Sequence, residues 1–242
     1  MVHLAGLAGV RPSVEQPHLY QEVNILGTLN LLEESRNKVD RFVFASSSSV
    51  YGNNPCRPLR EDMLPSPVSP YGASKAGAEL LCSTYHHLYG LPVVMLRFFT
   101  VYGPRQRPDM AFSRFTQAIE RGQPIQLFGP GDSRRDYTYV GDIVQGLEAS
   151  LGLSDGGCHI LNLGSARPVT LESLVHLLER ALDKKALVEH LPPQPGDVEV
   201  TEADISRARQ VLGYHPQVSL EEGLARFVQW YYDHSRQLIT KP

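Results

Sequence analysis

The chain contains 242 residues, of which 42% are hydrophobic and 20% charged, a composition that favours a folded globular protein over a disordered one. The formal net charge is -3 and the basic residues are scattered, so the sequence offers no surface for nucleic acid. The three cysteines, Cys56, Cys82 and Cys158, have no metal-ligand spacing, and we therefore predict no metal site and a reducing, cytoplasmic location.

The first elements in chain order alternate between strands and helices. Apolar runs predict strands near 2-5, 41-46, 92-98 and 159-163, and amphipathic segments predict helices near 13-36, 71-90 and 141-152. Such alternation indicates an α/β fold with a parallel sheet and helices on its faces. The apolar start of the chain is too short to span a bilayer and no other segment is long enough, so no membrane partner is predicted.

Beyond Pro104 the elements become shorter and are separated by glycine and proline. Helix patterns follow near 111-121, 170-183, 204-212 and 219-234. The last helix opens with Ser219 and Glu222, which have the spacing of a capping box. We interpret this part as a smaller α/β lobe interleaved with the sheet. The predicted domains are 1-104 plus 139-165 and 105-138 plus 166-242.

Polar residues that could carry chemistry follow two of the predicted strands. Ser46 to Ser49 and Phe99 to Pro104 come after apolar runs, and in parallel sheets ligands bind beyond the carboxyl ends of the strands. On the next helix, Tyr71 and Lys75 are four residues apart and share a face. A free tyrosine titrates near pH ~10, so a positive neighbour must favour its phenolate before it can act as a base at neutral pH. With Ser47 the pair predicts a proton-transfer site. Taken alone, a tyrosine and a lysine at this spacing more often form a partly buried tyrosine over a solvated lysine, and it is the conjunction with the serine run that favours the site.

Seven separated motifs extend this pattern along the chain. They are His3-Leu4-Ala5, Asn24-Ile25-Leu26-Gly27-Thr28, Ser46-Ser47-Ser48-Ser49-Val50-Tyr51-Gly52, Tyr71-Gly72-Ala73-Ser74-Lys75, Arg97-Phe98-Phe99-Thr100-Val101-Tyr102-Gly103-Pro104, Arg134-Arg135-Asp136-Tyr137-Thr138-Tyr139-Val140 and Asn162-Leu163-Gly164. In order and spacing, from about residue 2 to about residue 232, the chain resembles the NAD-dependent nucleotide-sugar epimerase/dehydratase family, the extended short-chain dehydrogenases. The resemblance implies a Rossmann-type NAD-binding domain in 1-104 plus 139-165 and a nucleotide-sugar-binding lobe in 105-138 plus 166-242.

The resemblance also implies roles for the proton-transfer residues. Tyr71 would be the base that removes the proton from the sugar O4, and Ser47 would hydrogen-bond that oxygen. Lys75 would hold the nicotinamide ribose and lower the pKa of Tyr71. Hydride would pass from C4 to NAD and return to the other face of a 4-keto sugar, which inverts the centre without net oxidation.

Further residues are assigned to the ligands by the same resemblance. The NAD contacts would be Leu4, Ala5, Asn24, Ala45, Ser46, Tyr71, Lys75 and Phe98. In the smaller lobe, Arg135 would bind the diphosphate, a task that suits the paired donors of a guanidinium. Gln194 and Asp197, in Gln194-Pro195-Gly196-Asp197, would lie in the loop over the uridine and its ribose. The helices near 13-36 and 71-90 resemble the family's dimer helices and imply a homodimer.

The residues after Ser47 distinguish between reactions within the family. Dehydratases of the family place an Asp-Glu pair there and decarboxylases a Glu, whereas this chain has Ser48 and Ser49. This difference implies simple epimerisation. Residues matching Ser48, Ser49, Thr100 and Arg107 surround the sugar carboxylate in UDP-glucuronate 4-epimerases. The alternative substrate pair, UDP-glucose and UDP-galactose, stays open, because Arg105-Gln106 occurs in relatives that act on UDP-glucose.

One part of the family pattern is missing from the sequence. The family begins with a strand, a glycine-rich turn and a helix, which bind the cofactor pyrophosphate, and Met1 falls where the fourth family strand should start. We therefore expect residues 1-242 to bind NAD weakly or not at all and to show no measurable epimerisation. A non-catalytic UDP-sugar-binding or partner subunit is the alternative from another class. A glycine-rich strand-turn-helix encoded upstream of Met1 would favour the enzyme instead.

Overall fold

The computed structural model describes residues 1–129, 131–192, 198 and 200–239, with the backbone alone for 235–239. The strands are β1 (Val2–His3), β2 (Phe42–Ser47), β3 (Val93–Phe98), β4 (Thr100–Tyr102), β5 (Pro124–Phe128), β6 (Arg134–Tyr139), β7 (Cys158–Leu163), β8 (Pro168–Thr170) and β9 (Leu187–Leu191). The helices are α1 (Val10–Glu15), α2 (Pro17–Gln21), α3 (Gly27–Ser35), α4 (Pro70–Tyr89), α5 (Ala111–Glu120), α6 (Val140–Leu151), α7 (Leu171–Leu182), α8 (Ser206–Leu212) and α9 (Leu220–Ile239).

The four predicted strands form one parallel sheet, as expected. Its order is β1-β2-β3-β7, with Ser47 opposite Phe98 and Phe98 opposite Leu163. All six residues of β2 are buried, because helices cover both faces of a parallel sheet and its central strands are apolar throughout. The carboxyl ends of β2 and β3 therefore lie side by side, and the residues that follow them share one rim.

The segment between β1 and β2 differs from the single helix expected near 13-36. It consists of α1, α2, a wider π-helical turn at Glu22–Leu26, and α3. The break falls at Gln16, which has φ -129° and ψ 56°. A residue before proline is excluded from the helical region by the proline ring, and Pro17 then starts α2 at a position where its missing N–H costs nothing.

Helix α4 presents the predicted Tyr-Lys pair to the rim of the sheet. Ser69 caps its first turn by accepting a hydrogen bond from Gly72 N at 3.1 Å, and the helix ends at Gly90, whose φ is 65°. Its apolar face packs with β2 and β3 through Ala78 and Cys82. This packing fixes the depth at which the first turn of α4 meets the end of β2.

The remaining elements form a second packing centre. The sheets β4-β6-β8 and β5-β9 pack with α5, α7 and α9 around Phe112, Leu174 and Phe227. Glu222 N donates to Ser219 Oγ at 3.1 Å, which agrees with the predicted helix start. Helix α8 lies within the range predicted for the smaller lobe, but its Ala208 packs in one cluster with Val43 and Leu161 of the parallel sheet. The domain division above stays a prediction. No helix among the described residues is long and apolar enough to cross a bilayer.

Candidate active site

A cleft of about 440 Å³ lies beyond the carboxyl ends of β2 and β3. Its lining includes nine of the residues predicted from the sequence: Ser46, Ser47, Ser48, Ser49, Tyr71, Phe98, Thr100, Arg107 and, from β6, Arg135. A neighbouring cavity of about 300 Å³ shares Thr100, Arg107 and Arg135 with the cleft. The tertiary structure therefore brings the predicted proton-transfer and substrate residues to one place.

The serine loop is shaped by hydrogen bonds at the end of β2. Ser47 Oγ accepts from Ser49 N at 3.1 Å and so caps a short 3-10 turn at Ser48–Tyr51. Gly72 packs directly against this turn: a Cβ there would lie 2.6 Å from Ser49 O. Any larger residue would push α4 away from the loop, so glycine is required for Tyr71 to reach Ser47.

Tyr71 lies in this cleft with a side-chain hydrogen bond to Ser47. Burial raises the pKa of the Tyr71 phenol, while that hydrogen bond and the charge of Arg107 act in the opposite direction. The expectation that Lys75, together with a bound cofactor, lowers the pKa of Tyr71 stays a prediction, since the protein groups alone leave that pKa raised. Desolvation outweighs the neighbouring positive charge because the ionised phenolate is the form that burial disfavours.

Lys75 lies one helical turn further along α4 and points to the sheet. Its Nζ donates to Ala45 O at 2.8 Å and lies 5.0 Å from the centre of the Phe44 ring. Burial lowers the pKa of Lys75 to about 8, so the ammonium stays mostly charged at neutral pH. A desolvated cation is thus held at the base of the site by a backbone carbonyl and a ring face.

None of the predicted cofactor residues near β1 lines the described cleft, but Asn24 and Lys75 lie close together. Gly6 lies against them: a Cβ there would be 3.0 Å from Asn24 Oδ1 and 3.4 Å from Lys75 Nζ. Asn24 is buried, accepts from Leu7 N at 2.8 Å and donates to Leu7 O at 3.0 Å. The Asn24 amide therefore holds the loop after β1, a role that its sequence position did not reveal.

Five of the predicted residues are placed differently or fall outside the described part of the chain. Leu4 and Ala5 are exposed just beyond β1, and the Ser46 hydroxyl donates to the Glu79 carboxylate. Gln194 and Asp197 lie outside the described residues. Their assigned roles stay predictions.

Arginines from four segments border the second cavity. Arg107 donates to Ala8 O at 3.3 Å and to Asp109 Oδ2 at 3.1 Å, and the others are Arg11, Arg114 and Arg135. The Arg11 guanidinium lies 4.5 Å from the centre of the Phe128 ring. Such a cluster attracts an anion with several oxygens and can bind it through charge-assisted hydrogen bonds. Sequence reasoning missed Arg11, Arg114 and Phe128, which belong to no motif.

Asp136 is another residue whose structural role was not predicted from the sequence. It is fully buried and accepts from Ser165 N at 2.7 Å, Ala166 N at 3.0 Å and Ala203 N at 3.0 Å. Its carboxylate therefore ties β6 to the segments after β7 and before α8. The available signal was an acidic residue within a predicted motif, flanked by Arg135 and Tyr137, which both border the cavity.

Known proteins share this arrangement over nearly the whole chain. The family model described as GDP-mannose 4,6 dehydratase matches residues 1–227. The UDP-glucuronate 4-epimerase of Thermodesulfobacterium geofontis is 48% identical over 234 residues, which are 95% of this chain and 71% of that protein. The structure of UDP-glucuronic acid 4-epimerase from Bacillus cereus, in complex with UDP-glucuronic acid and NAD, has a TM-score of 0.90 and 40% identity, with 98% of this chain and 76% of that chain covered.

A UDP-glucose 4-epimerase structure from Thermotoga maritima, with UDP-glucose, is also similar. Its TM-score is 0.92 at 35% identity, and the match covers 97% of this chain and 77% of that chain. Both the sequence match and the fold match extend across the cleft residues described above. The chain therefore belongs to the NAD-dependent nucleotide-sugar epimerase/dehydratase family, the extended short-chain dehydrogenases.

Proposed function

We propose that the protein is a UDP-sugar 4-epimerase that works with NAD and acts on UDP-glucuronate. The observation that carries this proposal is the position of Tyr71. Its phenol is hydrogen-bonded to Ser47 in a cleft that continues into a cavity bordered by arginines. A sugar in the cleft and its diphosphate among the arginines would place a sugar hydroxyl beside a proton acceptor.

The residues near β1 and α4 fit a nicotinamide cofactor. The missing side chain of Gly6, beside Asn24 and Lys75, permits the close backbone approach that a dinucleotide needs. Lys75 and Tyr71 would hold its nicotinamide half, with Phe98 at the end of β3. When bound, NAD supplies a reversible hydride acceptor for the sugar C4.

The protein residues handle the proton and the orientation of the sugar. Tyr71 would accept the O4 proton as the C4–H bond breaks and would return it after the hydride is restored, so that protons and electrons balance over the cycle. Ser47 would hold O4 through its hydroxyl. Since burial raises the pKa of Tyr71, the phenolate needs positive charge nearby, and Lys75 and Arg107 are the protein cations placed to provide it.

The choice of UDP-glucuronate rests on the polar groups beside Tyr71. Ser48, Ser49, Thr100 and Arg107 line the same cleft, and three hydroxyls with one guanidinium suit a carboxylate. Oxidation at C4 turns the sugar into a β-keto acid, and fixed donors on the carboxylate would hinder its loss as CO₂. The 48% identity to a UDP-glucuronate 4-epimerase supports this substrate.

UDP-glucose is the second candidate substrate. Gln106 lines the cleft, and Arg105-Gln106 resembles the pattern of relatives that act on UDP-glucose. Arg107 also has a partner within the protein, Asp109, which competes with a sugar carboxylate. A neutral sugar would leave this ion pair in place.

An assay of interconversion tests the proposal. Purified residues 1–242 and, where the reading frame continues upstream of Met1, the longer chain are incubated with NAD and each UDP-sugar, and the products are separated by chromatography. We expect UDP-glucuronate and UDP-galacturonate to interconvert faster than UDP-glucose and UDP-galactose with the longer chain. UDP-sugar binding without any interconversion by either chain would favour the non-catalytic alternative instead.

We also propose that the protein is a homodimer formed through α1 to α4. Large apolar side chains are exposed on these helices, at Val14, Leu19, Leu80 and Leu88, and on the π-helical turn between α2 and α3, at Leu26; Leu80 is 70% exposed. Contiguous exposed apolar residues mark surfaces that other proteins cover. The three cysteines are free, which supports the cytoplasm as the location of such a dimer.

A charge in this surface should separate the dimer. We expect Leu80→Glu to shift the mass measured by light scattering from dimer to monomer, because a carboxylate cannot be buried among apolar side chains without a partner. Leu187→Glu is the matched control, since Leu187 is 56% exposed on β9. A dimer that survives Leu80→Glu, or a wild-type monomer, would contradict this interface.

A further inference from the structure

Three residues one turn apart on α4 contact three consecutive residues of β2. Tyr71 is hydrogen-bonded to Ser47, Lys75 Nζ donates to Ala45 O at 2.8 Å, and Ser46 Oγ donates to Glu79 Oε1. Positions four apart lie on the same face of a helix, so these contacts form one seam. Glu79 is the member of the seam that the proposed reaction does not use.

The Glu79 carboxylate also forms a buried ion pair with Arg97 at the end of β3. Arg97 Nε and Nη2 donate to its two oxygens at 2.9 and 2.7 Å, and the two side chains are 5% and 1% exposed. The Arg97 guanidinium lies 4.6 Å from the centre of the Tyr51 ring, and Tyr51 closes the 3-10 turn after Ser47. One carboxylate therefore joins α4, β2 and β3 directly beneath the serine loop.

Burying such an ion pair has a large desolvation cost, which offsets much of the attraction between the two charges. A buried ion pair is often no more stabilising than apolar side chains of the same volume, whereas loss of one partner leaves an uncompensated charge. Stability alone therefore does not explain why a carboxylate lies here. The hydrogen bonds of the Glu79 carboxylate and its charge next to Lys75 suggest that it serves the active site.

We propose that Glu79 is a positioning residue that holds Ser47 and Lys75 in register by joining α4 to the ends of β2 and β3. This inference rests on the proposed function, because Ser47 and Lys75 matter only if the Tyr71 chemistry takes place. Glu79 acts through Ser46, the residue directly before Ser47, and through its place one turn after Lys75.

The charges around Lys75 make the role measurable. Burial lowers the pKa of Lys75, while Glu79 and Cys82 on α4 raise it. From β1, His3 faces Lys75, and burial with the charge of Lys75 lowers the pKa of His3 to about 4, so that imidazole is neutral at pH 7. Arg97 on β3 is paired with Glu79. Removal of the Glu79 charge would therefore leave Lys75 easier to deprotonate.

A pair of variants separates positioning from stability. Glu79→Gln leaves Arg97 without its counter-charge and is expected to lower the melting temperature. The double variant Glu79→Leu/Arg97→Met replaces both charges with apolar side chains of similar volume and should restore much of that stability. Leu178→Ala, in the second packing centre, is a control for destabilisation far from α4.

The first readout is the pKa of Lys75, followed by NMR of the isotopically labelled lysine side chain without any substrate. In Glu79→Gln, which removes the carboxylate charge and keeps Arg97, we expect this pKa to fall relative to the wild type. The double variant removes both charges and should show a smaller change, and the Leu178→Ala control should leave the pKa unchanged. An unchanged Lys75 pKa in Glu79→Gln would overturn the proposal, whatever the activity.

The second readout is the pH profile of the epimerase chain. The double variant should lose kcat by about 10-fold or more, with KM for the UDP-sugar little changed. In Glu79→Gln the alkaline fall in kcat, where Lys75 loses its charge, should move to lower pH. If wild-type turnover is absent, the proposed function fails, but the NMR result still tests the seam. Normal kcat in the double variant and an unmoved alkaline fall in Glu79→Gln would also overturn it.

Discussion

Replacement of Tyr71 by Phe should remove epimerisation while leaving UDP-sugar binding nearly intact. We expect kcat to fall by about 10³-fold, the middle of the range for loss of a positioned general base. The ring is kept and only the hydroxyl is lost, so the cleft beside Ser47 keeps its shape. Turnover is measured by product chromatography and UDP-sugar affinity by calorimetry, on the chain found active in the interconversion assay.

Tyr20 provides a matched control for this variant. Its ring meets the Tyr71 ring edge-on, with 6.2 Å between centroids, and its hydroxyl donates to Ala8 O at 3.1 Å. Tyr20→Phe therefore removes a neighbouring phenol whose hydrogen bond goes to the backbone at Ala8, and most activity should remain. Retained turnover in Tyr71→Phe would rule out Tyr71 as the base, while loss of binding would indicate damage to the cleft rather than to the chemistry.

Replacement of Arg107 by Ala should lower the catalytic efficiency with UDP-glucuronate far more than that with UDP-glucose. A hydrogen bond to a charged group contributes about 1.5–3 kcal/mol, so kcat/KM for UDP-glucuronate should fall by about 10- to 100-fold more than kcat/KM for UDP-glucose. Arg107 also favours the Tyr71 phenolate, so a smaller loss common to both sugars is expected. The ratio of the two kcat/KM values is the measurement.

The products of Arg107→Ala give independent information. Without the guanidinium, the carboxylate of the 4-keto intermediate would be held less firmly. CO₂ and a decarboxylated UDP-4-keto sugar would then be released, with one reduced nicotinamide left for each molecule formed because the hydride is not returned to the sugar. Arg114 is the control, because it borders the second cavity and does not line the cleft. Arg114→Ala should lower kcat/KM by the same factor for both substrates. If Arg107→Ala lowers kcat/KM by the same factor for both substrates, Arg107 does not bind the sugar carboxylate.

The order of elements was accessible from local pattern. Apolar runs separated by amphipathic segments predicted β2, β3 and β7 to within a residue or two, and the Ser219 capping box predicted the start of α9. These features depend on neighbours in sequence, whose spacing sets backbone conformation and burial. The break at Gln16 was missed because the amphipathic pattern continues through it, although Pro17 was the available signal.

The site was accessible only in part. Ser47, Tyr71 and Thr100 share a cleft, as strand ends and helix spacing predicted, and Arg107, which only the family resemblance assigned, lines it as well. The raised pKa of Tyr71 could not be predicted from the sequence, because it depends on how much water the fold removes from the phenol. That desolvation exceeds the effect of the nearby positive charge of Arg107. Ser46 was assigned to the cofactor, yet its hydroxyl is bound to Glu79, which lies 33 residues away.

The sequence by itself therefore determined the family, the alternation of strands and helices, and the residue types needed for proton transfer. Short motifs of a few residues are enough to identify those properties. Only the tertiary structure decided that Gly6 lies beside Lys75, that four distant arginines border one cavity, and that Glu79 joins α4 to two strands. Such contacts depend on the distances between elements, and those distances are set by the packing of whole helices against the sheet.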